Sequence, residues 1–187
     1  MSAYITAADL AIYLGLENTD DDPLLTTLIA AASEKIDSET GRTFAAASDT
    51  TRYFDESAVI GSRLYFDTDL CQITSITNGD GASVASSQYV GNPRNVTPWY
   101  AIELKRTASV AWDGYSGEIA VVGRWAYSID PDAAIKHATE RLAGWYYRQR
   151  DNASESDRVL ITGTTTILPA RVPADVADAL KVYKVRT

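Results

Sequence analysis

The sequence is poor in the residues from which most active sites and metal centres are built. It has one cysteine, Cys71, so no disulfide can form within the chain and a cysteine-rich zinc site is excluded. It has one histidine, His137, which rules out Ser-His-Asp and Cys-His catalysis unless that residue takes part. There is no Lys-Ser/Thr phosphate loop and no GxGxxG. Gly41, Gly79 and Gly81 form no phosphate-binding pattern, so nucleotide binding is unsupported. No apolar run is long enough to span a bilayer, and no membrane association is expected. The opening Met1-Ser2-Ala3-Tyr4 has neither the basic nor the apolar region of a signal peptide, and the expectation is synthesis and folding in a cytoplasm.

Basic residues are scarce over most of the chain. Residues 1–130 carry 8 Lys+Arg against 18 Asp+Glu, a net −10, while residues 131–187 carry 9 against 7, a net +2, giving −8 in all. An acidic body argues against wrapping nucleic acid, which needs clustered Lys and Arg on the phosphates. It does not exclude DNA passing nearby. The mildly basic C-terminal part suits an acidic partner or plain solvation. With 187 residues and 45% hydrophobic content, the chain can bury one real core and carry an arm.

The pattern reads as an α+β domain. Thr6 to Asp9 forms a capping box that opens a short helix over 7–15, with Leu10, Tyr13 and Leu14 inward and Gly15 as its stop. Asp22 is the expected N-cap of a second helix over 23–40, with Pro23 at its first position. Leu24, Leu28, Ala32 and Ile36 give it an apolar stripe, widened by Leu25 and Ile29, with Ser33, Glu34, Asp37 and Ser38 off it. Gly41 ends it. Short β-forming segments follow over about 50–125: 51–54, 63–66, 70–77, 83–90, 100–104 and 117–122. They suggest a small antiparallel sheet, and Asn78-Gly79-Asp80-Gly81 signals a hairpin between two of them. Residues 91–98 read as an exposed loop.

A third helix over 131–150 is expected from Asp130-Pro131. Ile135, Ala138, Leu142, Trp145 and Tyr146 lie on one face of it, and His137, Arg141 and Arg148 on the other. The organisation is thus a core over 1–150 and a flexible arm over 151–187, with a short helix from Pro173 carrying Val176, Leu180 and Tyr183.

Few residues invite a chemical reading. Asp20, Asp21 and Asp22 could offer oxygens to a divalent cation, but a calcium-loop spacing is missing and helix N-terminal electrostatics account for them more simply. Asp67 and Asp69, with Asp55 and Glu56, could pair for glycoside hydrolysis, although acids in turns beside strands are ordinary. His137 reads as a surface residue and Cys71 as a small apolar residue within a strand. Trp125 and Trp145 read as core. Trp99 and Tyr100, beside the loop, could bind a glycan or peptide in a non-catalytic ligand-binding module. No cofactor, metal or catalytic residue is assigned, and the chain is not expected to be an enzyme.

Four pieces of the sequence, in order, resemble the head–tail connector (adaptor, or head-completion) proteins of long-tailed bacteriophages. The first is Tyr4-Ile5-Thr6 to Leu16, followed by Asp22-Pro23-Leu24-Leu25 and an alanine-rich helix. The second is Thr40-Gly41-Arg42 followed by Phe44. The third is Gly117 to Ser128, with Gly123, Trp125 and Tyr127 on the family's Val-x-Gly-x-Trp-Gly-Tyr pattern, then Pro131 and an alanine-containing helix. The fourth is Leu168-Pro169 to Val172, then Leu180-x-x-Tyr183-Lys184. Ala126 stands where a Gly is usual and Lys184 where an Arg is usual, which loses a bidentate donor.

The resemblance implies a small helical bundle with a short-stranded antiparallel β insertion between the second and third long helices, and an extended C-terminal arm. It implies a structural protein of the virion neck, assembled in the host cytoplasm as a ring of twelve copies. Such a ring sits under the portal protein, extends the DNA channel without binding DNA specifically, and seats a stopper or tail-completion protein. It also implies that the arm docks on the portal, through Leu168, Pro169, Val176, Leu180, Tyr183 and Lys184. On that reading, truncation at Asp157 leaves a folded monomer that no longer binds portal.

Overall fold

The structure, a computed structural model, describes residues 3–18, 20–151 and 172–185. The described residues form a mixed α/β chain with four helices and two antiparallel sheets. Two compact units account for it. One holds the described residues up to Gly41 together with those from Asp132 onward; the other is Arg42–Pro131.

The first unit is helical. Helix α1 spans Ala7–Leu14, and its start is a reciprocal capping box. The Thr6 hydroxyl accepts the Asp9 N–H at 3.1 Å, and the Asp9 carboxylate accepts the Thr6 N–H at 2.9 Å. Helix α2 spans Asp22–Thr40. Its N-cap is Asp21 rather than Asp22, and the Asp21 side chain makes no cap bond. That carboxylate accepts the Tyr147 hydroxyl instead, which ties the start of α2 to the third long helix. Gly15 and Gly41 both end their helices at positive φ, 72° and 69°, where a side chain would be strained.

The buried face of α2 is turned from the expected stripe. Leu25, Ile29, Ala32, Ser33, Ile36 and Thr40 are buried, while Leu24 and Leu28 are only half-buried. The cause lies in the N-terminal residues, which the periodicity of α2 alone cannot register. Tyr4 and Ile5 are buried; the Tyr4 N–H reaches the Ser33 hydroxyl at 3.3 Å, and the Tyr4 hydroxyl donates to Asp37.

Helix α3 spans Ala133–Asp151 and starts later than Asp130-Pro131 suggests. Asp132 is its cap, with a carboxylate oxygen 2.9 Å from the Ile135 N–H. Ile135, Ala138, Thr139, Leu142, Ala143 and Tyr147 line its buried side. Trp145 and Tyr146 are half-buried at the flank, so Tyr147 takes the place expected for them. Helix α4 spans Ala174–Leu180 and runs into a 3-10 turn over Lys181–Tyr183. Helix α1 packs on α2 and α3, α2 packs on α3, and α4 packs on α3 and α2. Among the described residues, no helix is long and apolar enough to cross a membrane.

The second unit is built from seven strands: β1 Thr50–Phe54, β2 Val59–Ile60, β3 Arg63–Leu70, β4 Gln72–Thr77, β5 Tyr89–Asn92, β6 Trp99–Leu104 and β7 Ile119–Arg124. They form two sheets, not one: β1-β7-β4 and β2-β3-β6-β5. Cys71 is not inside a strand. It sits half-buried where the chain leaves β3 in one sheet for β4 in the other, and its N–H bonds the Arg124 carbonyl at 2.9 Å. Phe54, Leu64, Leu70, Ile76, Ile102, Ile119, Val121 and Trp125 are buried together as the core of this unit. β7 alternates as a central strand should, with Ile119, Val121 and Gly123 buried and Ala120, Val122 and Arg124 half-buried.

The Asn78–Gly81 turn forms, but the hairpin beyond it is a single bridge, Thr77 to Ser83. Residues 83–90 do not continue as one strand. A 3-10 turn at Ser86–Gln88 redirects the chain, and β5 joins the other sheet. The reason is visible at Asn78, which is buried and serves a third segment. Its amide donates to the Ala111 carbonyl at 2.9 Å, and its side-chain oxygen accepts the Asp113 N–H at 3.0 Å.

Two outcomes follow from these contacts. Asn78→Ala strands two backbone groups and should cost about 2–3 kcal/mol, read as a lower urea midpoint with an unchanged slope. An unshifted midpoint would show that the two loops are held by other means. The second outcome concerns Asp37. Burial pushes its carboxyl above the ordinary value, and the Tyr4 hydrogen bond works against that. A carboxyl with a raised folded pKa holds its proton more tightly folded than unfolded, so its contribution to stability falls as pH rises through that raised pKa. Asp37→Asn keeps an acceptor for Tyr4. It should raise the melting temperature at neutral pH, and the gain should fade as pH drops into the ordinary carboxyl range. Parallel melting curves at every pH would refute this.

Candidate functional site

The residues singled out by the sequence fall into two groups, one in each unit. In the helical unit the C-terminal segment is fastened to the rest. Pro173 precedes α4, and Val176 and Leu180, one helical turn apart, are buried to 2% and 1% exposure. The polar residues of the segment meet complementary groups at each end. Arg141 lies 2.6 Å from Asp175. The Tyr183 hydroxyl donates to the Asp132 carboxylate at 2.7 Å, and Lys184 reaches Glu39 at 3.4 Å. The Val185 N–H donates to the Thr40 carbonyl at 3.0 Å, which satisfies one of the orphan carbonyls in the last turn of α2.

Val176 and Leu180 are therefore inward-facing in this structure. Tyr183 is half-buried, Lys184 exposed and Val182 83% exposed. Leu168 and Pro169, with the tract from 152 to 171, lie outside the described residues. Cutting the chain at Asp157 would strip Val176 and Leu180 from α3 and α2.

In the β unit the motif residues converge where the chain enters and leaves it. Arg42 donates to both oxygens of Asp69, at 2.8 and 2.7 Å, and its guanidinium lies 5.4 Å from the centre of the Tyr127 ring. The Phe44 ring, fully buried, is 5.5 Å from Tyr127. The Tyr127 N–H bonds the Thr43 carbonyl at 2.8 Å, and the Ser128 hydroxyl bonds the Phe44 carbonyl at 2.9 Å. Trp125 packs edge-on against Phe66 and beside Phe54, with Arg52 5.0 Å from its ring centre and its indole N–H 3.0 Å from the Thr50 carbonyl. At Gly123 any side chain would strike the β4 backbone, with its Cβ only 2.1 Å from the Gln72 carbonyl oxygen. Asp22 and Pro23 open α2, and Pro131 is half-buried just ahead of α3.

The acids considered for hydrolysis have structural partners. Asp69 holds Arg42, Asp67 holds Arg52 at 2.8 Å, and Asp55 caps the turn at Ser57, accepting its N–H at 2.8 Å. Among the described residues no group of three or more His, Cys, Asp or Glu side chains is placed to hold a metal ion. His137 is exposed and lies 3.4 Å from Glu140. Of the aromatics that open β6, Trp99 is half-buried against the core, while Tyr100 is 52% exposed and its hydroxyl meets Asn92 at 3.2 Å. Sequence reasoning missed Tyr147, Asp132 and Asp175, each of which holds a distant partner. The acid cap before α3 and the acid in the first turn of α4 were the signals available for the last two.

No protein-family model matches the chain, and no curated protein matches it. Solved structures do. A chain in the neck of the empty gene transfer agent (GTA) particle, computed with C6 symmetry, matches all of this chain and 94% of its own length, with a TM-score of 0.60 at 14% identity. A chain in the neck of the native GTA particle, computed with C12 symmetry, matches over the same shares with a TM-score of 0.60 at 15% identity. A chain of the native GTA virion matches 98% of this chain and 91% of its own, with a TM-score of 0.59 at 16% identity. The chain shares its fold with chains of a particle neck. At such identities the likeness is one of fold, spanning nearly the whole of each chain.

The fastening of α4 can be measured directly. Leu180→Ala should destabilise the protein by about 2–4 kcal/mol, since it leaves a cavity under α4. Val182→Ala, at an exposed position two residues on, should stay within about 0.5 kcal/mol. Equal effects of the two changes would place α4 elsewhere.

Proposed function

We propose that this chain is a head–tail connector: a structural, non-catalytic protein that forms a ring in the neck of a phage or phage-like particle. The ring lies between the portal protein and a stopper or tail-completion protein and lengthens the DNA channel. The observation that carries the reading is the fold shared, over the full length of this chain, with chains of symmetric particle necks. The second and third motifs add to it, because Arg42, Phe44, Gly123, Trp125 and Tyr127 build one end of the β unit. Twelve copies is the ring size this reading carries, and C12 symmetry in a neighbour's neck supports it.

The charge balance suits a channel protein. A net −10 over residues 1–130 repels phosphate, so packaged DNA slides past rather than sticks. The core over 1–150 with an arm over 151–187 remains the working division for docking. Within that arm, Leu168 and Pro169 are proposed as the portal contact. Val176, Leu180, Tyr183 and Lys184 hold the segment that follows them in the arm. Repetition around the ring turns weak single contacts into tight attachment.

Co-expression with the portal protein of the same genome, followed by electron microscopy, tests this. A collar of density coaxial with the portal is the expected result. Portal and chain that are both folded yet never associate would overturn it. Leu168→Asp with Pro169→Ser should weaken portal binding at least about tenfold, equivalent to about 1.4 kcal/mol, with no change in melting temperature.

A further inference from the structure

The two sheets of the β unit have edges that the chain treats unequally. β2 is two residues long, which leaves little edge to pair. The edge of β4 is covered: its Ile76 carbonyl takes the Val84 N–H at 2.9 Å, and just beyond it the Asn78 N–H goes to the Ala82 carbonyl at 2.8 Å. β1 and β5 are the remaining edge strands. β5 carries no charged residue and no proline, and the charge on β1, Arg52, is held by Asp67. Among the described residues, no backbone group outside the sheets bonds β1 or β5. An unguarded edge of this kind is a template for another strand.

Neighbouring strands fix which backbone groups face out. The Lys105 N–H goes to the Gln88 carbonyl at 2.8 Å, and the Leu104 N–H goes the other way, to Ser62. Bonded pairs recur at every second residue of an antiparallel ladder. In the register of β5 with β6, Val90 and Asn92 therefore bond Glu103 and Ala101. Tyr89 and Gly91 turn their N–H and C=O groups away from the sheet. In the other sheet Ile76 faces Val84, so Ser75 and Thr77 bond Val122 and Ala120 of β7. That leaves Gly123, Val121 and Ile119 to bond Thr50, Arg52 and Phe54 of β1. Thr51 and Tyr53 are the outward residues of β1, and Tyr53 is 63% exposed.

The two edges carry opposite charge at their ends. Within the β unit Arg42, Arg52, Arg63 and Arg124 each hold a carboxylate of the chain. Arg94, Lys105 and Arg106 hold none among the described residues, and they flank the β5–β6 pair. The Lys105 ammonium sits 2.7 Å from the Ser87 carbonyl, just ahead of β5. Asp55 and Glu56, which follow β1, are exposed and hold no cation among the described residues.

Resting on the ring reading above, we infer that β1 of one copy pairs antiparallel with β5 of the next. The occupant of the β5 edge is a second copy of this chain. Thr51 meets Gly91 and Tyr53 meets Tyr89, each pair exchanging backbone hydrogen bonds between copies. Asp55 then falls opposite Ser87, beside Lys105 and Arg106. A parallel pairing would carry the acids to the Arg94 end, away from Lys105 and Arg106, so the charges favour the antiparallel order. Joining two different edges makes the contact heterologous, and heterologous contacts build a ring when the rotation closes. Each copy offers one edge of each kind, so a closed ring leaves neither exposed.

Full-length variants test this, with folding followed by melting temperature and rings followed by sedimentation and electron microscopy, alone and with portal present. Thr51→Pro removes one outward N–H and no bond within the sheet. It should leave the melting temperature unchanged and raise the concentration needed for rings at least about tenfold. Lys105→Glu with Arg106→Glu should do the same, as should Asp55→Lys with Glu56→Lys. All four charge changes in one chain set opposite charges across the contact again, and rings should return. If Thr51→Pro costs the fold, the charge exchange decides alone. A folded Thr51→Pro chain that forms rings as readily as the parent would overturn the pairing and leave the connector reading standing. So would a four-fold exchange that fails to restore rings, or double variants that never lose them. A parent chain that forms no ring, even with portal present, would sink the connector reading and the pairing with it.

Discussion

The constraint on which the rest of the β unit depends is the closure of its two ends. Residues 42–44 lead into it and residues 125–128 lead out. The Thr43 carbonyl takes the Tyr127 N–H, the Phe44 carbonyl takes the Ser128 hydroxyl, and Arg42 bonds Asp69 while lying over Tyr127. A segment pinned at its base in this way keeps its ends adjacent whatever its interior does. Just ahead of this base in the sequence, Gly41 ends α2 in a conformation that a side chain would resist. The buried ring of Phe44 then seals the base against water.

Local signals were the most legible part of the sequence. Thr6 and Asp9 announced a capping box, Gly15 and Gly41 announced helix stops, and Asn78 to Gly81 announced a turn. Each depends on residues within four positions of one another, and each is found in the structure. Pairings across long separations were not legible. Tyr147 with Asp21, and Tyr4 with Asp37, shift the phase or the start of α2, and no periodicity within α2 can reveal them. The same limit hid the second sheet. Short β-forming runs show that strands exist, while the break at Cys71 that sends β3 and β4 to different sheets is a property of the packed core.

The motif residues divide in an instructive way. Those of the β unit were flagged by resemblance, and the structure supplies their physics: a guanidinium bridge, a buried ring, and a glycine pressed against a neighbouring strand. Those of the C-terminal segment were expected to serve a partner, yet Val176 and Leu180 face the chain's own helices. An apolar stripe on a short helix looks the same in sequence whether its partner is internal or external. Composition decides that the stripe will be covered, and only the fold decides by what.

The division into one continuous and one discontinuous unit has a consequence for synthesis. The β unit is a single stretch, Arg42–Pro131, whereas the helical unit needs α3 to complete it. On the ribosome, α1 and α2 emerge first, and the buried face of α2, with Leu25, Ile29 and Ile36, has no α3 to cover it until the intervening stretch has been made. At ~5–20 residues per second that wait lasts roughly 5–20 s. The β unit is complete in sequence before α3 is made. The two halves of the helical core are therefore made far apart in time, with a whole compact unit between them.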